Sequence, residues 1–318
     1  MDAVHGGDIY SKEYRLDFSA NINPLGMPEA VREAACRGVE LSVHYPDVWC
    51  RELRDALGRE FAVPADHIIC GNGAAELIFA LAQALRPRKA LLVSPGFAEY
   101  ELALRSVGCE IAFYECRPEK GFVLQEDYLQ AVTEELDMVF LCNPANPTGV
   151  LLPRELPGRI ADRCREKKVL MVLDECFNGF LDEPEKATLI PQVMEKGGLF
   201  ILGAFTKLYA MAGLRLGYGI CRDKVILEKM RSVLQPWNVS LPAQMAGRAA
   251  LEQKEYVRQS RECVKTERSF LIRKLRELGM TCYASSANFV FFHGPAGLTE
   301  KCEKRGILIR DCSNYRTL

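Results

Sequence analysis

The chain has 318 residues, 48% of them hydrophobic and 26% charged, with a formal net charge of -1. That is enough chain for one large domain and a smaller companion. The near-neutral balance gives no basic field for phosphate backbones or anionic lipid, so neither nucleic acid nor membrane is an expected partner. No uninterrupted apolar run approaches the roughly 18 residues of a membrane span. Residues 1–10 hold charges and two glycines where a signal peptide would be apolar. The 13 cysteines are odd in number and contain no Cys-x-x-Cys pair. They argue against a disulfide framework or a zinc site and suit the reducing cytoplasm.

Seven short apolar runs follow one another along the chain. They are residues 67–70, 90–93, 111–114, 138–141, 169–173, 199–202 and 216–220. Helix-period segments such as 75–85 and 156–166 lie between them. This alternation predicts an α/β fold: a large domain, residues 38–225, with a mostly parallel seven-stranded sheet covered by helices on both faces. After Cys221 the texture changes. A polar, helix-favouring stretch runs from Gln244 to Leu278, followed by strand-like runs at 288–292 and 307–309. These predict a smaller α+β domain of residues 226–318, joined by residues 1–37.

Four stretches stand at the ends of predicted strands, where open α/β sheets bind ligands. Gly71-Asn72-Gly73-Ala74-Ala75-Glu76 can offer backbone N–H groups to an anion at a helix N-terminus, or can be a plain tight turn. A dinucleotide fingerprint is disfavoured because Glu76 takes the place of its third glycine. Asn143-Pro144-Ala145-Asn146-Pro147 is a stiff turn carrying two amides. Asp174 and Glu175 close an apolar run, so Asp174 serves either as a helix N-cap or as the partner of a buried cation. Lys207, after Thr206, follows an apolar strand and precedes an apolar stretch. An amine held away from water loses its proton readily and can form a Schiff base, whereas most lysines are merely solvated. Arg215 adds a permanent cation suited to phosphate.

Together these stretches resemble the fold-type I pyridoxal-phosphate enzymes, the class I and II aminotransferase superfamily. The resemblance implies pyridoxal 5'-phosphate as cofactor, with Lys207 bearing it as a Schiff base and Asp174 pairing with its ring nitrogen. Asn146 would bond the ring oxygen, and Phe97 in Ser94-Pro95-Gly96-Phe97 would stack on the ring. Gly73, Ala74, Ala75, Thr206 and Arg215 would hold the cofactor phosphate. Tyr45 would reach the cofactor of a second subunit, implying a homodimer.

Within the superfamily the chain is most similar to the threonine-phosphate decarboxylases of cobalamin biosynthesis and to the histidinol-phosphate aminotransferases. His5-Gly6-Gly7, Asp17 to Gly26, Ser94 to Tyr100, Gln235 to Val239 and Ile309 to Tyr315 favour the decarboxylases. So does Phe177, where aminotransferases commonly carry a tyrosine. A small phosphorylated amino acid is then the implied substrate, touched by His5, Gly6, Asn21, Asn146 and Arg310. Taken alone, His5 also reads as a disordered terminal residue and Arg310 as a surface arginine. The chain stops soon after Tyr315, where the resembled families continue with a Gly-Leu, a strand bearing a second substrate arginine, and a helix. The expectation is a small domain truncated at its C-terminal side, with cofactor binding kept and turnover weakened. A cofactor-binding protein with little turnover is therefore a further alternative.

Overall fold

The computed structural model describes residues 5–318. Strand β1 (Leu16–Phe18) precedes helices α1 (Glu29–Glu40) and α2 (Arg51–Phe61). Strands and helices then alternate through β2 (Ile68–Gly71), α3 (Ala74–Leu85), β3 (Lys89–Ser94), α4 (Ala98–Ser106) and β4 (Glu110–Glu115). The series continues with α5 (Tyr128–Ala131), β5 (Met138–Cys142), α6 (Leu156–Glu166), β6 (Leu170–Asp174), α7 (Ile190–Lys196), β7 (Leu199–Ala204) and β8 (Gly217–Cys221). Last come α8 (Lys224–Val233), α9 (Leu241–Leu251), α10 (Lys254–Glu277), β9 (Thr281–Cys282), β10 (Phe292–His293), α11 (Leu298–Glu303) and β11 (Ile307–Ile309).

The seven predicted central strands form one sheet in the order β2-β8-β7-β6-β5-β3-β4. Only β8 runs against its neighbours β2 and β7. The strands are apolar without interruption because both faces are covered, and successive side chains enter different layers. Leu91, Val139, Leu141, Met171, Leu173 and Ile201 join one core. Their neighbours Ala90, Leu92, Met138, Phe140, Val172, Phe200 and Leu202 join the other. Helix α1 packs along α9, and Val31, Ala35, Ala243 and Ala246 enter the first core with the sheet.

The helix-favouring run 244–278 is helical, in two elements: α9 ends at Leu251 and α10 begins at Lys254. One expectation is corrected. The run 288–292 is not a strand; only Phe292 and His293 pair, with Cys282 and Thr281. Its first residue and the two before it make other bonds. Asn288 donates its amide to Asn21 O at 3.0 Å, and Arg268 donates to Ser286 and Ala287 carbonyls. The run 307–309 does form a strand, paired in parallel with β1. Among the described residues no helix is long and apolar enough to cross a membrane.

Candidate active site

The carboxyl ends of the parallel strands bring the predicted stretches to one edge. At the end of β2, Gly73 has a φ of +82° and leads into α3. A Cβ there would stand 2.5 Å from Nη2 of Arg215, so only glycine lets the guanidinium lie against this turn. Ala74 and Ala75 open α3, with N–H groups free of helical partners. Glu76 braces the turn: its Oε2 accepts from Asn72 N and Asn238 Nδ2, both at 2.6 Å. The glycine turn is thus fastened to the segment after α8.

The two amides of the Asn-Pro turn separate by role. Asn143 is buried, accepting from Leu152 N at 3.0 Å and donating weakly to Ala187 O at 3.4 Å. Asn146 instead lines a cavity with Pro95, Gly96, Tyr100, Cys142 and Ala145. Asp174 ends β6 in a buried position and accepts from Tyr100 Oη at 2.6 Å and from Cys176 N at 2.9 Å. Burial pushes its carboxyl above the ordinary value, against the pull of those bonds. Tyr100 also stacks on Phe140 at 4.9 Å and meets the edge of Phe97 at 5.5 Å. Sequence reasoning missed Tyr100, although it lies one helical turn beyond Phe97 and so shares its face.

Thr206 and Lys207 follow β7, both half-buried. Burial lowers the pKa of the Lys207 amine; Cys176 and Glu99 oppose that, while Arg215 adds to it. Among the described residues the amine has no ion-pair partner. Asn23, buried and overlooked in the sequence beside Asn21, pins this loop. Its N–H donates to Lys207 O at 3.0 Å, and its amide donates to Leu208 O and to Ser260 Oγ, each at 2.7 Å. The opening segment therefore clasps the lysine loop by its backbone and is itself held to α10.

Of the predicted substrate contacts, His5 lies 3.2 Å from Glu99. Gly6 lies against Ser19, and Asn21 offers its carbonyl to Asn288. Arg310 donates to Asn314 Oδ1 at 3.0 Å and sits over the Tyr315 ring. Tyr45 stands apart: it is 78% exposed and stacks on Trp237 at 4.6 Å. Phe177 is buried against Phe289 and brings no hydroxyl to the edge.

A family model described as aminotransferase class I and II matches residues 15–317. The chain belongs to that family. Threonine-phosphate decarboxylase of Salmonella typhimurium is 38% identical over 99% of this chain and 89% of its own length. The crystal structure of histidinol-phosphate aminotransferase from Clostridium acetobutylicum matches with a TM-score of 0.89 and 31% identity, covering 96% of this chain and 91% of that one. L-threonine-O-3-phosphate decarboxylase from Porphyromonas gingivalis matches with a TM-score of 0.84 and 26% identity, over the same 96% and 91%. As a member of the class I and II family, the protein is a pyridoxal-phosphate-dependent enzyme.

The buried carboxylates make two outcomes measurable. Replacing Tyr100 by Phe removes a donor from a buried carboxylate and should lower stability by about 1–3 kcal/mol in urea titrations. Glu175 accepts from Thr188 Oγ1 at 2.6 Å and Leu189 N at 2.8 Å, yet burial raises its carboxyl from 4.5 to about 7. Because the folded-state value is the higher one, its contribution is complete below pH 4.5 and is lost as pH rises to about 7. The cofactor-free protein should lose stability across that window, by something on the order of 3 kcal/mol. Glu175→Gln should flatten the slope, as followed by thermal denaturation at a series of pH values.

Proposed function

We propose that this chain decarboxylates L-threonine O-3-phosphate, giving (R)-1-aminopropan-2-yl phosphate and CO2 for cobalamin biosynthesis. The observation that carries this reading is the 38% identity to a threonine-phosphate decarboxylase along 99% of the chain. The residues present fit pyridoxal phosphate. The glycine turn leaves room for Arg215 where a Cβ would collide, which makes an anion cradle of Gly73, Ala74, Ala75, Thr206 and Arg215. Asp174, raised by burial and lacking a cation, would take the ring nitrogen. Lys207 would carry the cofactor carbon, Asn146 would bond the ring oxygen, and Phe97 would cover the ring.

When bound, the cofactor accepts the electron pair released at the substrate's Cα. The protein decides which bond at Cα breaks. His5, Gly6, Asn21, Asn146 and Arg310 would hold the substrate so that its carboxylate stands perpendicular to the ring. The Cα–carboxylate bond then breaks, CO2 departs, and Cα takes up one proton. Lys207, its proton affinity reduced by burial, would deliver that proton. Phe177 offers the ring oxygen no hydroxyl, in keeping with a reaction other than ordinary amino transfer.

Aminotransfer involving histidinol phosphate is the second reading, favoured by the TM-score of 0.89 to such an enzyme. We further propose a cytoplasmic homodimer. Val39, Val43, Tyr45, Trp49 and Trp237 form an exposed apolar face on and near the α1–α2 connection, and Tyr45 would cross from it to the second subunit's cofactor. All 13 cysteines are free, in keeping with a reducing compartment.

Lys207→Ala should cut turnover of threonine phosphate by at least about a thousandfold. It should also abolish the visible band and the borohydride-fixed label on the peptide containing residue 207. Wild-type protein should release CO2 from threonine phosphate and form no keto acid. Keto-acid formation from histidinol phosphate with no CO2 release would replace the first reading by the second.

A further inference from the structure

The first turn of α4 carries a carboxylate that none of the roles above uses. Glu99 lies between Phe97 and Tyr100, two side chains of the same edge. Its Oε1 pairs with His5 Nε2 at 3.2 Å, and its side chain is 14% exposed against 53% for His5. Its Oε2 is shielded from water and has no hydrogen-bond partner among the described residues. Burial raises the Glu99 carboxyl, while the charges of His5 and Lys207 draw it down. Lys207 is affected by Glu99 in return. A carboxylate shielded in this way is costly unless cations stand near it. Here an imidazole comes from the opening segment and an amine from the catalytic loop.

The arm that carries His5 is fitted to its place. A Cβ on Gly6 would stand 1.9 Å from Ser19 O, so this close approach excludes every other residue. Gly7 donates its N–H to Ser19 Oγ at 2.8 Å, and Ser19 donates its hydroxyl to Asp17 Oδ1 at 2.6 Å. Phe18 is paired with Ile309, so Arg310 leaves β11 where Ser19 leaves β1. Tyr315, beneath the Arg310 guanidinium, also feels the charge of Glu99. Glu99 therefore acts on His5, Tyr315 and Lys207, and Tyr315 in turn lies beneath Arg310.

We propose that Glu99 is a positioning residue that fastens His5, and the glycine arm behind it, at the mouth of the Lys207 site, so that His5 and Arg310 together receive the substrate's phosphate. The choice of phosphate rests on the functional reading above; the fastening of the arm does not.

The test uses cofactor-loaded protein and two measurements. Glu99→Ala should speed hydrogen exchange in residues 5–12 by at least about fivefold. It should also raise KM for O-phospho-L-threonine about tenfold, with kcat changed less than about threefold and the visible spectrum intact. Glu99→Gln keeps an acceptor oxygen for His5 and should restore most of the arm's protection. His5→Ala should raise KM as much as Glu99→Ala, and the double variant should be no worse than either alone. Exchange at the wild-type rate in Glu99→Ala overturns the proposal whatever the substrate. Additive losses in the double variant overturn the action through His5. Wild-type protein that leaves O-phospho-L-threonine untouched sinks the functional reading, while the exchange rates still decide the role of Glu99.

Discussion

A lysine amine held out of water beside a permanent cation is unfavourable, and much of this structure is arranged to keep Lys207 there. The strand that delivers it, β7, is buried along its length, so the chain cannot relax outward. Asn23 grips the lysine loop by its backbone, leaving the side chain uncommitted. Arg215 lies on the one turn whose lack of a Cβ admits it. Each device trades some stability for an amine that is poorly protonated and a guanidinium that is fixed in place.

The sheet supplies the common origin of these positions. Six strands run in one direction and end near one line, where the antiparallel β8 begins, so short loops converge without long excursions. Helix dipoles add to this at α3, whose first N–H groups face the place where Arg215 points. Asp174 and Glu175 are more deeply buried than Lys207 and Arg215. Asp174 keeps a tyrosine donor and Glu175 a ring of neutral donors, so neither is matched by a protein cation.

Much of this was legible in the residue order. Seven apolar runs became seven strands because a sheet covered on both faces demands continuous hydrophobicity. The segments 75–85 and 156–166 became helices because their apolar positions recur with the helical period. The site stretches were recognisable where a chemical type broke an apolar pattern, as at Asp174 and Lys207. What stayed hidden has a shared cause. Asn23, Glu76 and Tyr100 matter through partners far along the chain, Ser260, Asn238 and Asp174, which their local sequence does not name. The run 288–292 misled for the same reason: its continuous apolar residues suit a strand, but Asn288 bonds a carbonyl far along the chain and Arg268 holds the carbonyl of Ala287 just before it.

The clasp around the lysine also has a bearing on how the molecule is made. Asn238 and Glu76 are 162 positions apart, and Asn23 and Ser260 are 237 apart. During synthesis on the ribosome β2 must wait, its hydrogen-bonding edge open, until β8 has emerged to cover it. The binding edge is thus among the last parts to close. A nascent chain leaves it unfinished until residues 217–221 have been made.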